Sequence, residues 1–138
     1  EAVAIAEKIV ARAIVQARDR IEGERAVIDA YNKAEDKRVL ILDDRNPWEV
    51  VALTFPETLF VIAPRINDGQ WNAEGVYVKK GSMERRIYFP EAWAGKYQQE
   101  LADVTGIPGS VFCHLGRFMV TAKTKEDVIS LVKMTLGD

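Results

Sequence analysis

Residues 110–122 read SVFCHLGRFMVTA, and residues 124–136 read TKEDVISLVKMTL. In the first stretch, two short apolar runs lie on either side of a tight Leu115-Gly116 connection, which is typical of paired β-strands. The second stretch begins with a threonine that can cap a helix and has Asp127 three residues later, as in a capping box. Its apolar positions recur at helical spacing and predict a buried face made of Val128, Leu131, Val132 and Leu136. Strands followed by a covering helix predict the α+β class.

The chain upstream supplies the rest of a mixed, mostly antiparallel sheet with helices packed on it. Short apolar runs bounded by turn residues predict strands at Arg38–Leu42, Leu59–Ala63, Trp71–Val78, Ser110–His114 and Arg117–Ala122, with a short edge strand at Arg86–Phe89. Asn67-Asp68-Gly69 predicts an antiparallel hairpin between the second and third of these. A helix is expected from Gly95 or Lys96 to Thr105, because Gly106 and Pro108 are stop signals.

A long amphipathic helix is predicted from Ala2 to about Lys37, where the chain contains no proline and a single glycine, Gly23, which could split or bend it. Its apolar residues recur every seven positions, as Val3, Val10 and Ala17 and as Ile14, Ile21 and Ile28. We expect this face to pack on the domain's own core, with a partner helix or an absent N-terminal domain as alternatives. The pattern has no start signal before Ala2, so we expect a chain cut from a longer one.

Bulk composition sets limits on the function. The 138 residues suit one core, divided here into a linking helix at 1–37 and an α+β substrate-binding domain at 38–138. A net charge of -2 gives no global positive field, so phosphate binding must be local. One cysteine excludes an internal disulfide and suits a reducing, cytoplasmic location. No apolar run approaches the roughly 20 residues that cross a membrane, so no membrane association is expected.

The residues able to bind an anion fall in two places. His114, the only histidine, ends an apolar strand beside a glycine turn, and Arg117 follows it. Both can donate hydrogen bonds to a phosphate, although an isolated histidine more often satisfies a buried carbonyl. The second place is the loop Lys79–Arg86, where a glycine and the hydroxyl of Ser82 accompany four cations including Arg85 and Arg86. That composition can hold an anion, but it also suits a solvated turn.

Other candidate chemistry is weaker. Three tryptophans near turn residues could stack a base, but core or rim packing is the more common role. Asp43-Asp44 is read as a strand-end turn because no second cluster of ligands supports a metal site. Cys113 and His114 are adjacent in a strand and should face opposite ways, which excludes a Cys/His pair. The chain alone therefore lacks the ligands to activate water at a metal, and we assign it no catalytic residue.

Several segments carry a resemblance to a known family. They are FPEAWAG (residues 89–95), QELADVTGIPGSVFCH (residues 99–114) and RFMVTAKTKED (residues 117–127), with weaker matches back to Pro47-Trp48. In these segments the sequence closely resembles the melanocyte proliferating gene family (Myg exonuclease), which is similar to the DHH phosphoesterases. The resemblance covers most of the chain.

The resemblance implies a C-terminal, substrate-binding half of a metal-dependent phosphoester hydrolase. The N-terminal half, which would bind manganese or another divalent metal, is absent here. By resemblance, His114 takes the position of the family's strand-end histidine, Lys123 that of a basic residue before the last helix, and Phe118 the aromatic beside them. Val120 and Thr121 stand where relatives often have glycines, and Arg117 is not basic in every relative. In a eukaryote the implied location is the mitochondrion or nucleus.

The leading hypothesis is thus a phosphoester-binding domain of a nuclease acting on RNA or small nucleotides, inactive without its own N-terminal catalytic domain. Its substrate-binding residues are His114, Arg117, Lys123, Ser82, Arg85 and Arg86. The competing hypothesis is a non-catalytic interaction module that forms a homodimer through its long helix, favoured if Ile14, Ile21 and Ile28 are exposed. A third is a sensor domain with a closed apolar pocket.

Overall fold

The computed structural model describes residues 2–138, which form three α-helices and one five-stranded mixed sheet. The helices are α1 (Ala2–Lys33), α2 (Gln98–Thr105) and α3 (Lys125–Leu136). The strands are β1 (Val39–Ile41), β2 (Phe60–Pro64), β3 (Trp71–Gly75), β4 (Ser110–Cys113) and β5 (Met119–Ala122). Two short 3-10 turns lie at Val51–Thr54 and Glu91–Trp93. The α+β class expected from the sequence is confirmed.

The sheet has the order β1-β2-β3-β5-β4. Only β1 and β2 are parallel, and the other neighbours are antiparallel. The predicted hairpin between β2 and β3 forms, and its turn places both Asn67 and Gly69 at positive φ, a region that glycine and asparagine enter at low cost. A second hairpin joins β4 to β5. These two hairpins meet at the β3–β5 pair, so the centre of the sheet joins segments far apart in the chain.

The main core lies between the sheet and α3. Phe60, Ile62, Ala73, Val120 and Ala122 project from the strands and pack against the predicted inner face of α3. The predicted cap of α3 is also present, because the backbone N–H of Asp127 donates to Thr124 Oγ1 at 3.1 Å, which satisfies one of the free amides of the first turn.

A second apolar cluster covers the other face of the sheet, but only over β1 and β2. It contains Leu40, Leu42 and Val61, with Trp48 and Phe55 from the connection between those strands. The C-terminal end of α1 closes this cluster with buried Val27 and with Tyr31, whose ring stacks on Phe55 at 3.9 Å. The rest of this face, over β3, β5 and β4, is left without a covering helix.

The expected packing of α1 on its own core is wrong for most of its length. Every residue from Ala2 to Glu22 is exposed, and Ile14 and Ile21 keep 54% and 53% of their surface in contact with solvent. The cause is a mismatch of length. Thirty-two helical residues extend about 48 Å, whereas a strand of five residues extends only about 17 Å. The helix therefore extends beyond the sheet, and only its last turns are packed.

Three further expectations need correction. The helix is not split at Gly23, which instead lets the ring of Pro47 approach closely, and it ends at Lys33 rather than near Lys37. Residues 86–89 form no strand, because their backbone bonds go to separate partners, Arg86 N–H to Val76 O and Phe89 N–H to Arg117 O. Within residues 2–138, no helix combines the length and apolar character needed to cross a membrane.

Candidate functional site

The uncovered part of the sheet presents a row of polar and aromatic side chains. Alternation along the strands directs Ala73, Cys113 and Val120 to the main core, so their neighbours Asn72, Glu74 and Phe112 face the opposite way. Thr121 lies on the same side but is buried, and its hydroxyl donates to Asn72 Oδ1 at 2.6 Å. His114 follows β4 on the same face as Phe112, with the two ring centroids 6.2 Å apart. We define the open face as this surface of β3, β5 and β4.

His114 is held in a single orientation at the β4–β5 turn. Its backbone N–H donates to Met119 O at 2.9 Å, and its carbonyl accepts from Arg117 N–H at 2.8 Å. The N–H of Gly116 donates to the imidazole Nδ1 at 2.8 Å. Because Nδ1 is an acceptor in this bond, the proton of the neutral ring is assigned to Nε2. The partly buried imidazole therefore offers an Nε2–H donor.

The imidazole packs against an aromatic ring. The ring centroids of His114 and Phe118 are 4.2 Å apart. The guanidinium of Arg85 lies 4.5 Å from the Phe118 centroid and 3.8 Å from that of Tyr77. Phe118 thus contacts both a cation and the imidazole, and Arg85 brings a buried positive charge close to the site.

Arg85 is almost completely buried, with 5% of its surface exposed. Its Nη1 donates to Gly75 O and its Nη2 to Tyr77 Oη, both at 2.9 Å. Within residues 2–138, its Nε is the one buried side-chain nitrogen or oxygen without a hydrogen-bond partner. Both terminal nitrogens therefore donate inside the protein, and the buried guanidinium acts on a bound anion only through its field.

The other predicted site residues are divided between different parts of the molecule. Arg117 lies at the same turn as His114, where its Nη1 donates to Phe89 O at 2.9 Å and its guanidinium lies over Tyr88. Lys123 is exposed but follows the far end of β5. Six residues of extended chain between Arg117 and Lys123 span roughly 20 Å. The structure therefore does not bring Lys123 together with His114.

The loop at residues 79–86 does not form a simple anion-binding site, because several of its polar groups bond within the protein. Ser82 Oγ accepts from Glu84 N–H at 3.0 Å, which closes a local turn. Arg86 Nη1 donates to Phe55 O and Thr58 O at 2.6 and 2.7 Å, and Nη2 lies 3.4 Å from Leu53 O. Arg86 therefore fastens the loop before β2, whereas Lys79 and Lys80 remain exposed.

A cleft of about 470 Å³ adjoins the open face. It lies between β3 and the loop that carries Trp48, and Asn72 and Glu74 line it together with the cations Arg45 and Arg65. Burial raises the pKa of Glu74 above its usual value of 4.5, although the nearby positive charge of Arg85 partly opposes this. A larger groove of about 920 Å³ at the outer side of β1 contains none of the predicted site residues.

Acidic, cysteine and histidine side chains are scattered in the part of the chain that the structure describes. It gathers no group of three or more His, Cys, Asp or Glu side chains able to hold an ion. Asp43 and Asp44 are exposed, and Asp44 Oδ1 accepts from the N–H of Arg45 in a local turn. Cys113 faces the main core, and its burial raises the pKa of the thiol to about 11. Cys113 and His114 therefore form no catalytic pair, as their adjacency predicted.

The sequence pointed to His114 and Arg85 as candidates but gave little indication of the residues that contact or surround them. Glu74 lies between Ala73 and Gly75, both of which are buried, and its alternation with Asn72 was a signal for a polar sheet face. Tyr77 gave no such signal, because its contact with Arg85 depends on a loop that folds back. Trp48 and Trp93 are buried, as expected for packing residues.

The chain is similar to known proteins along nearly its whole length. A profile of the Uncharacterised protein family (UPF0160) matches residues 1–136. A MYG1 protein of Dictyostelium discoideum is 31% identical over 120 residues, which cover 83% of this chain and 36% of that protein. MYG1 exonuclease of Homo sapiens is 32% identical over 85 residues, covering 62% and 23%. A MYG1 protein of Chlamydia pneumoniae is 46% identical over 56 residues, covering 41% and 19%. The matched segments thus span about a third or less of each relative.

Proposed function

Because the chain belongs to the Uncharacterised protein family (UPF0160), in which relatives carry the name MYG1 exonuclease, we propose that it is the substrate-binding part of a nuclease. The reaction class is hydrolysis of a phosphoester, and the substrate is RNA or a small nucleotide. Family membership confirms the resemblance drawn from segments such as FPEAWAG and VTGIPGSVFCH. It also supports treating the strand-end histidine as the first candidate for contact with substrate.

The observation that carries the proposal is the geometry of His114. The bond from Gly116 N–H occupies Nδ1 and leaves Nε2–H as the free donor of a partly buried ring. A donor held in this way can bind a non-bridging phosphate oxygen without first being oriented, so little conformational entropy is lost on binding. The buried charge of Arg85, behind Phe118, favours an anion at the same place.

The remaining cations are assigned secondary roles in this proposal. Arg117 supports the turn and adds positive charge beside His114. Lys123, at the other end of β5, is too far away for the same phosphate and would contact a flanking phosphate of a longer strand. Ser82 and Arg86 act through the shape of their loop, because their polar atoms are engaged within it or with the chain before β2.

The catalytic half of the reaction would lie in polypeptide outside this chain. In this proposal α1 acts as the linking helix, and its exposed apolar surface would pack on that catalytic domain. The divalent metal implied by the resemblance, manganese in the first instance, would be bound there and would supply the activated water. This chain alone would be inactive. Its single, buried thiol suits a reducing compartment, such as the cytoplasm.

The test compares the full-length protein with its His114→Ala variant in the presence of manganese. Hydrolysis of single-stranded RNA and of a dinucleotide should fall at least tenfold, since a hydrogen bond to a charged group is worth about 1.5–3 kcal/mol. Lys80→Ala, which removes an exposed cation from a neighbouring loop, is the matched control and should keep full activity. Equal rates for wild type and His114→Ala would exclude the imidazole from substrate binding.

A second candidate function is supported by one specific observation, the exposure of Ile14, Ile21 and Ile28 on α1. Together with Val3 and Val10 they form an a/d heptad pattern of the kind that pairs helices. In this alternative the chain is an interaction module that forms a homodimer through α1. Sedimentation equilibrium of the chain with and without Ile21→Lys tests it. If the chain and its Ile21→Lys variant are both monomers at every concentration tested, this alternative is excluded.

A further inference from the structure

A largely exposed aromatic ring lies near His114. Tyr97 keeps 61% of its surface in contact with solvent. Its ring nevertheless rests against Phe112, with centroids 4.9 Å apart and planes inclined by 37°. Leu115, at the neighbouring turn, is 75% exposed. Together they form an apolar, aromatic surface that faces water.

The backbone holds Tyr97 in place without help from its side chain. Gly95 N–H donates to Cys113 O at 3.0 Å, and Cys113 N–H donates to Lys96 O at 3.1 Å. These bonds set residues 95–97 alongside β4, and Tyr97 forms a bridge with Phe112. The position of the ring is therefore fixed by the strand edge, while most of its surface stays free.

This ring and the imidazole are linked through Phe112. Phe112 is 4.9 Å from Tyr97 on one side and 6.2 Å from His114 on the other. The Tyr97 centroid is thus no more than about 11 Å from that of His114. In a nucleotide a single sugar separates the base from the phosphate, so contacts this close together can be made by one nucleotide or by two adjacent ones.

We propose that Tyr97, supported by Phe112, is a stacking platform for the base of the nucleotide whose phosphate contacts His114. The inference rests on the proposed function and extends it to the class of substrate. A base can lie flat on an exposed ring only when it is not paired, so the platform selects single-stranded nucleic acid or free nucleotides. It selects little among sequences, because every base has a π-face.

The test uses two probes that differ only in the base, adenosine 5′-monophosphate and ribose 5-phosphate. Each is titrated into the 138-residue chain while the imidazole resonances are followed, and one histidine makes these signals unambiguous. Stacking of one base is worth about 1–3 kcal/mol, so the monophosphate should bind about tenfold more tightly. Tyr97→Leu, which still covers Phe112, should remove this difference, and Tyr97→Phe should keep it.

Met134→Ala is the control, since this exposed residue lies on α3, which packs on the opposite face of the sheet. It should leave both affinities unchanged. If the two probes shift His114 with equal affinity, and Tyr97→Leu changes neither, the platform is refuted while phosphate binding stands. If neither probe shifts the His114 resonances, the proposed function itself fails, and the platform fails with it.

Discussion

The contacts of Arg86 allow a test of whether this cation stabilises the fold or binds the substrate. Two donors from Nη1 reach Phe55 O and Thr58 O at 2.6 and 2.7 Å, and the third contact, to Leu53 O, is long at 3.4 Å. Arg86→Met keeps an unbranched apolar stem but removes every donor. Each of the two short bonds is worth about 1.5 kcal/mol as a charge-assisted bond. The variant should therefore lose about 3 kcal/mol of unfolding free energy.

The assay is equilibrium unfolding in urea, followed by tryptophan fluorescence. The midpoint should move to lower urea with an unchanged m-value, because the surface exposed on unfolding is the same. In a thermal scan, Tm should fall by roughly 10 °C for a domain of this size. Lys80→Met is the matched control, since it removes an exposed cation from the same loop, and it should change stability by no more than about 0.5 kcal/mol.

An Arg86→Met variant that unfolds like wild type but binds nucleotides more weakly would contradict this structural role for Arg86. That combination would mean that Arg86 serves the substrate and that its bonds to the loop before β2 contribute little. Arg86→Lys refines the test. It keeps the charge but cannot bridge two carbonyls in the same fork geometry, so its stability should fall between those of wild type and Arg86→Met.

Three further predictions concern burial. Burial raises the pKa of Glu74 in the folded protein above its unfolded value of 4.5, so the folded state binds this proton more tightly. The resulting gain in the free energy of unfolding is fully present below pH 4.5 and is lost as the pH rises through the folded pKa. Glu74→Gln should make the free energy of unfolding, measured by urea titration at several pH values, depend less on pH. An unchanged pH dependence would contradict a raised pKa for Glu74. Cys113 is fully buried and its thiol has a pKa of about 11, so it should react with a thiol reagent only as fast as local unfolding exposes it. Rapid labelling of the native chain would contradict its burial. Removing residues 1–20 should change unfolding free energy by no more than about 0.5 kcal/mol, since residues 2–20 are all exposed, and a larger loss would show that this segment stabilises the domain.

Local chemistry explains why much of the fold could be predicted. Short apolar runs with turn residues on both sides gave the strands, and Thr124 and Gly106 marked the ends of helices. The Asn67-Asp68-Gly69 turn predicted its hairpin because positive φ is cheap for asparagine and glycine. In each case the residues that decide the structure lie next to the element they define.

The failures concern contacts between distant parts of the chain. The heptad pattern of α1 identified an apolar face but gave no information about what covers it. The composition of residues 79–86 gave four cations but not their directions, so the inward turn of Arg85 and Arg86 could not be foreseen. The separation of Lys123 from His114 was predictable, since strand rise alone places them at opposite ends of a hairpin.

The order of strands in the sheet has a consequence for how the chain folds. The two hairpins use local contacts, whereas the β3–β5 pair that joins them, for example Ala73 with Val120, requires closure of a long loop. Closing this loop costs conformational entropy before the contacts between β3 and β5 can form. Pairing of these two strands should therefore be the rate-limiting step of folding. Truncating Val120 to alanine should then slow refolding more than it speeds unfolding in a denaturant-jump experiment. The opposite partition would mean that the β3–β5 contacts are absent from the transition state and form only after the barrier.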